Sequence, residues 1–432
     1  MEVSVIVLTW NGGSFIEPCL RAVLAQEPPP SEVIVVDNGS TDGTPDLVAE
    51  RFPAVRLIRN SRNLGFSAGN NIGLRAASGE LLVLLNDDTQ VHPGFLSALA
   101  RAFDDPAVGM AGTKLLYPDG TIQHAGGYLY GPRGETEHRG RHSPSDGHFD
   151  EVYEPEFVTG AALAIHRRAL QQIGLLDEGF SPIYYEDVDW CYRARAAGWR
   201  VVFVPQAVVT HHESATADRS SHRHKMNLNH GRVRFVFKHW PADRLLDEFG
   251  PAEVSWVAAM PRITELMTAR GAYLKVLLDL PGILAFRASS EAEAQALLSL
   301  LADLRAAALV SLEALPEAQA VGVVPSPAQP LEPSVRRRPS ALGRLFVRFR
   351  RLWTGLRYLD VLPDLVSHIQ QHDRTLAQHD QALARQAETQ AQQGQILRGQ
   401  TLDVAENVRE LSAIAALLAR FDAADQVKEH NG

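Results

Sequence analysis

At 432 residues, 45% of them hydrophobic and 22% charged, the chain is too long for one ordinary core and has the make-up of two or three folded units. Its formal net charge of −9 supplies no overall positive field to attract phosphates, which argues against nucleic acid as the main partner. Two cysteines, Cys19 and Cys191, fit a reducing compartment and two small buried hydrophobes rather than a disulfide scaffold.

The opening run, Met1 to Leu8, is acidic and too short for a signal peptide. Asp279 and Pro281 interrupt the best candidate for a membrane span, which needs about 20 apolar residues. A soluble or peripheral protein of the cytoplasm is expected. From residue 1 to about 116, strand-like and helix-like segments alternate. Val3–Leu8 reads as a strand, Gly13–Gln26 as a helix, Val33–Asp37 as a strand and Thr44–Arg51 as a helix. Val55–Arg59 follows as a strand, Ala68–Ala77 as a helix and Leu81–Asn86 as a strand. Such alternation predicts an α/β fold with a mostly parallel sheet between helices.

Residues 117–155 are rich in Gly, His and charge and predict loops or a hairpin over an active site. Val158–His166, Trp199–Val204 and Val208–His211 read as further strands, with a helix near Asp187–Ala197. Residues 241–315 predict a helical segment, and the prolines of 316–340 a linker. Residues 341–358 form an amphipathic helix within a stretch, Pro333 to Leu359, that holds eight arginines and no acid. It is read either as a helix lying on an anionic membrane or as one packed on the body with a solvated basic side. From 362 to 424, Ile369, Leu376, Leu383, Gln390, Leu397, Val404, Leu411 and Leu418 recur every seven residues and predict a coiled coil and a homo-oligomer. A long solvated helix is the bland alternative.

Four polar blocks carry the chemistry. Thr9-Trp10-Asn11 ends the first strand and is answered by Asp37-Asn38-Gly39-Ser40-Thr41-Asp42. Arg62-Asn63-Leu64-Gly65-Phe66-Ser67-Ala68-Gly69-Asn70-Asn71 has glycines that let backbone approach a ligand and an arginine suited to phosphate or a base. Asn86-Asp87-Asp88 ends another strand, and Tyr184-Tyr185-Glu186-Asp187-Val188-Asp189 precedes Gly198-Trp199. Each has an ordinary reading as a turn, a helix cap or a solvated helix start. A carboxylate beyond a parallel strand, however, stands where open α/β sheets bind ligands. Two such strand ends suggest a polar ligand and a divalent cation with oxygen ligands.

In order and spacing these blocks resemble the family 2 glycosyltransferases of the GT-A fold, notably the rhamnosyltransferase-like members that build bacterial surface polysaccharides. The likeness runs from Met1 to about Trp240, and Val208 to Ser214 resembles the family's following histidine motif. It implies a GT-A domain over 1–240 and an inverting transfer from a UDP- or dTDP-sugar, dTDP-rhamnose among them, to a glycan or lipid-linked acceptor. Asp88 matches a direct ligand of Mn²⁺ or Mg²⁺, and His211 the histidine that completes the metal shell. Asp87 matches the neighbouring acid, facing ribose or metal. Asp37 matches the carboxylate that accepts the base imide, with Thr9, Asn11 and Arg62 lining the same pocket and Asn63, Gly65 and Asn70 on the nucleotide-sugar side. Asp187 matches the general base; Glu186, Gly160 and Trp199 fall to the acceptor side. Asn86 departs from relatives that carry a third acid there, which puts the cation shell in question. A sugar-binding scaffold organised by the coiled coil, or a nucleotidyltransferase, are the competing classes. The intact acids oppose the first, and the absence of Lys or Arg before Arg21 opposes the second.

Overall fold

The computed structural model describes residues 1–212 and 222–314. The linker, the basic helix and the coiled coil lie outside the described residues, as do Glu213 and Ser214. The chain forms two compact units: Met1–Arg219 with His224–Glu253 and Gly271–Arg287, and Ser220–Arg223 with Val254–Arg270 and Ala288–Gly432.

The first unit opens with β1 (Val3–Thr9), α1 (Ile16–Leu24), β2 (Glu32–Asp37), α2 (Thr44–Arg51), β3 (Arg56–Arg59), α3 (Phe66–Ala76) and β4 (Leu81–Asn86). These match the expected elements to within a few residues at their ends. Then come β5 (Thr89–Val91), α4 (Phe95–Ala102), β6 (Val108–Leu116), β7 (Ile122–His124), β8 (Gly127–Tyr130) and β9 (Glu135–His138). They are followed by β10 (Ala162–His166), α5 (Arg167–Ile173), α6 (Glu186–Ala196), β11 (Arg200–His211) and α7 (His222–His239). Of these, β5, α4, β6, α5 and α7 have no counterpart in the sequence reading.

The main sheet runs β3-β2-β1-β4-β10-β6-β11-β5, with β7 added to β6. Its first half is parallel, as expected from βαβ alternation. β10 enters antiparallel to both β4 and β6, so the sheet is mixed. β11 is one strand where two were expected. Its register against β6 shifts between Val204 and Val208, and Pro205, which has no N–H to give the ladder, falls in that irregularity. Residues 117–155 do hold a hairpin, β8 with β9.

Buried Val and Leu of the strands pack against Ile16, Cys19, Leu20 and Val23 of α1 and Phe95, Leu96 and Leu99 of α4. Spacings of three and four put each set on one helical face. α3 approaches β1 more closely, because a Cβ at Gly69 would come 2.5 Å from Leu8 Cδ1. That glycine serves packing, contrary to the expectation that it brings backbone to a ligand.

Beyond α7 the chain is helical, as expected: α8 (Ala242–Arg244), a π-helical turn Leu245–Phe249, α9 (Gly250–Ala258), α10 (Ile263–Arg287) and α11 (Glu291–Ala314). The first unit nevertheless continues past residue 240. Arg232 of α7 binds Glu253 at 2.5 Å, and Arg234 binds Asp279 at 2.9 Å. Arg232, Glu253 and Arg234 are buried charges that must be paired, which fits residues 250–253 and Gly271–Arg287 belonging to the first unit. In the second unit α11 buries Leu297, Leu300, Leu301, Leu304 and Ala308 at helical spacing. No helix among the described residues is long and apolar enough to cross a membrane.

An ion network ties α6 to α7. Asp189, fully buried, meets Arg193 Nε at 2.8 Å and both Lys238 Nζ and His239 Nε2 at 2.7 Å. Lys238 also reaches Asp177 at 2.6 Å. Burial opposes ionisation of Asp189, but the His239 hydrogen bond and the Arg193 and Lys238 charges outweigh it and hold the carboxyl well below the usual range. A depressed folded value adds stability above the unfolded pKa of about 4, and that stability is lost as the pH falls through the folded value. Asp189→Asn is expected to cost about 3–5 kcal/mol, because it strands buried cations. Urea titrations should show this loss at pH 7 and a smaller difference from wild type in acid.

Candidate active site

Register assembles the site at one edge of the sheet. Thr9 of β1 stands beside Asp37 of β2, and Leu8 beside Asn86 of β4, so three parallel strands end together. Side chains just past those ends are brought to a single rim. β11 ends on the same rim, where His211 pairs with Thr89, the residue after Asp88.

Asp87 accepts a 2.5 Å hydrogen bond from the Thr9 hydroxyl. Burial pushes its carboxyl up to about 6; the Thr9 hydrogen bond opposes this and the charge of Asp88 adds to it. Gly12 makes room, since a Cβ there would collide with the Asp87 carboxylate. Asp88 Oδ1 is buried without a hydrogen-bond partner and lies 3.0 Å from His211 Nε2. Adjacent ligands of an octahedral ion with bonds of about 2.1 Å stand about 3.0 Å apart, so this pair has the spacing of two corners of one cation shell. On the other side of its ring, His211 Nδ1 is 2.6 Å from Gln123 Oε1. Among the described residues no cluster of three or more His, Cys, Asp or Glu is built to enclose a metal. A shell closed by phosphate oxygens and water fits such a two-residue edge.

A second group frames the space beyond β1 and β2. Asn11, at a φ of 54°, donates its backbone N–H to Ser40 Oγ at 2.8 Å, and its Oδ1 accepts from Thr41 N at 2.8 Å. Asp37 is buried and accepts from Ser40 N at 3.2 Å. Asn38 is the organiser that sequence reading passed over. Its amide donates to Asn63 Oδ1 and Gly65 O, and its carbonyl accepts from Asn60 and Leu64. This fixes the loop that carries Arg62, which is exposed. Gly65 sits at a φ of 85°, a left-handed conformation that side chains avoid, with Asn63 Oδ1 accepting from its N–H at 2.8 Å. Asn70 is buried within α3 and donates to Phe66 O at 3.1 Å, so it acts inside the helix.

The acids before α6 form a third group. Asp187 is partly exposed and accepts from Gly160 N at 3.0 Å and Val188 N at 2.8 Å. Gly160 follows directly on the β10 side, where Asn86 N donates to Ala161 O at 3.0 Å, so Asp187 is anchored beside the end of β4. Burial raises the Asp187 carboxyl, and the two N–H donors oppose the rise. Glu186 is buried with Oε2 lacking a hydrogen bond, and burial together with Asp187 pushes its carboxyl well above the usual range. Tyr184 and Tyr185, at φ of 87° and 71°, make the turn that presents both acids. Their hydroxyls pair with His224 Nδ1 at 2.8 Å and Gly134 O at 2.9 Å. Gly231 of α7 allows the turn to seat, since a Cβ there would strike the Tyr184 carbonyl.

Trp199 does not join this assembly. It precedes β11 by one residue, while His211 closes the same strand, which puts the two roughly 40 Å apart along the chain at about 3.3 Å per residue. Its Nε1 donates to Gln172 of α5 at 2.8 Å, a packing role at the opposite edge. Gln123 was missed outright, because a lone glutamine in a segment read as loop gives no signal.

The family model described as "Glycosyltransferase like family 2" matches residues 1–226, just over half the chain. The chain belongs to this family. It is a glycosyltransferase, and the mixed sheet described above is its GT-A fold. Of the relatives it resembles, an N-acetylglucosaminyl-diphospho-decaprenol L-rhamnosyltransferase of Mycobacterium tuberculosis is 30% identical over 259 residues, covering 54% of this chain and 82% of the relative. The O-antigen biosynthesis protein RfbC of Myxococcus xanthus is 34% identical over 225 residues, 50% of this chain and 18% of that protein. An uncharacterised protein of Sinorhizobium fredii is 31% identical over 256 residues, 57% of this chain and 28% of its own length. The chain therefore spans less than a third of two of these three relatives. Among solved structures, TarS of S. aureus superposes with a TM-score of 0.47 at 18% identity, covering 74% of this chain and 55% of TarS.

Cys19 lies beneath this rim, its Sγ 3.7 Å from Asn86 O, and burial pushes its thiol up to about 12. Cys191, behind Asp187, is raised to about 12 by burial as well. Neither thiol is expected to react with iodoacetamide at pH 7.5 in the native protein, and both should react in 8 M urea; mass spectrometry reads the difference.

Proposed function

We propose that this glycosyltransferase moves a sugar, with inversion, from a UDP- or dTDP-sugar to a hydroxyl of a glycan or lipid-linked acceptor in surface polysaccharide synthesis, and that it needs a divalent cation. The observation that carries the reading is the joining, through neighbouring strand ends, of a free carboxylate edge at Asp88 to the partly exposed Asp187. The names of the mycobacterial rhamnosyltransferase and the Myxococcus O-antigen protein support rhamnose as the donated sugar and a lipid-linked or O-antigen acceptor.

Asp88 and His211 are the residues that would hold Mn²⁺ or Mg²⁺, with Asp87 beside them. Bound there, the ion neutralises charge that builds on the departing diphosphate. Asp37, Thr9, Asn11 and Arg62 take the nucleotide: the buried Asp37 carboxylate accepts an imide N–H, and the exposed Arg62 guanidinium faces base or phosphate. Asn63 and Gly65 shape the loop under it, and Asn70 supports that loop from α3. Asp187 removes the acceptor hydroxyl proton as that oxygen attacks the anomeric carbon opposite the nucleotide. Burial pushes the Glu186 carboxyl well above the usual range, which favours placing the negative charge on Asp187, and Gly160 steadies Asp187 through its N–H. The coiled coil of 362–424 would set oligomer number, and the basic helix of 341–358 would bring the catalytic unit to the inner face of an anionic membrane. Both rest on sequence pattern alone.

Asp187→Asn is expected to lower kcat by about 10²–10⁴-fold while UDP or dTDP binding persists, and Asp88→Ala to abolish cation-dependent donor binding; full activity in either sinks the reading. A base with a raised pKa must lose its proton before it acts. The acid limb of wild-type kcat/KM against pH should accordingly fall above about 4, the ordinary aspartate value.

A further inference from the structure

The cation edge has one nitrogen donor, and it serves only if His211 Nε2 carries a lone pair. A neutral imidazole keeps its proton on one nitrogen, and the partner of the other nitrogen decides which. His211 Nδ1 lies 2.6 Å from Gln123 Oε1, an atom that only accepts, so the proton belongs on Nδ1. A second observation fits. Nε2 lies 3.0 Å from Asp88 Oδ1, an oxygen with no hydrogen bond, which is the spacing of two ligands of one ion.

Gln123 is held for this task. It is 4% exposed at the centre of β7, between the fully buried Ile122 and His124. The pairing of β7 with β6 slips between Leu115 and Leu116, and such irregularities re-aim a side chain. Resting on the cation reading above, we propose that Gln123 is a positioning residue. It locks His211 in the Nδ1–H tautomer and points Nε2 at the ion. As a neutral amide it does so without adding the charge a carboxylate would bring.

The full chain should be titrated with Mn²⁺ in the presence of UDP, free Mn²⁺ being counted by electron paramagnetic resonance. Gln123→Leu should weaken Mn²⁺ binding about 10–100-fold. Gln123→Glu, which still accepts from Nδ1–H, should stay within a few-fold of wild type. Equal binding in wild type and Gln123→Leu overturns the proposal, and so does a Gln123→Glu loss as large as that of Gln123→Leu. Failure of wild type itself to take up Mn²⁺ overturns the cation reading beneath it. Should Gln123→Leu not fold, ¹⁵N-histidine spectra of wild type decide the matter, with His211 assigned by its loss in His211→Gln. An Nδ1-protonated ring supports the proposal, and an Nε2-protonated ring overturns it.

Discussion

Parallel strands that stop in register concentrate polar groups that the chain alone would keep far apart. β1, β2 and β4 are buried along their lengths and end within a residue of one another, so Thr9, Asp37 and the acids after Asn86 face one rim. The apolar sheet beneath lowers the local dielectric and makes adjacent carboxylates costly. Asp87 responds by accepting a hydroxyl and rising toward neutrality. Asp88 instead keeps a buried oxygen without a donor beside an imidazole.

Asp187, the base of the proposed reaction, depends on a different device. Two consecutive tyrosines in left-handed conformation are unfavourable, of the order of 1–3 kcal/mol each. Packing of α7 against the turn holds them, through the Tyr184–His224 hydrogen bond and the close fit of Gly231. The Asp189 ion pairs fix α6 to α7, and Asp177 ties the segment before α6 to the same lysine, so an interaction that touches no substrate governs where Asp187 points. Within the single motif Glu186-Asp187-Val188-Asp189, one acid is buried with its carboxyl pushed up, one is partly exposed and one is locked in ion pairs.

The family's chemistry could be read early because it uses short polar blocks at the ends of apolar runs. Those runs, Val33–Asp37 and Leu81–Asn86, are the least ambiguous kind of strand. Asn38 and Gln123 were not legible in the same way. Their value lies in partners 22 to 88 residues away, and amide side chains look alike whether they organise a loop or face water. Trp199 shows the opposite error: closeness in sequence to the acidic motif suggested a sugar platform, but α6 carries the chain to the far edge before the tryptophan appears.

Local sequence determined the alternating elements, the polar ends of β1, β2 and β4, and the family, because propensity, periodicity and motif spacing act over a few residues. Tertiary structure alone decided that β10 runs antiparallel, since a short strand buried on both faces looks the same in either direction. It also decided that β11 crosses Pro205 unbroken, that the first unit reclaims Gly271–Arg287, and which nitrogen of His211 faces Asp88. Each of these is settled by pairing between distant segments, where buried charges and backbone groups must find partners that sequence order does not reveal.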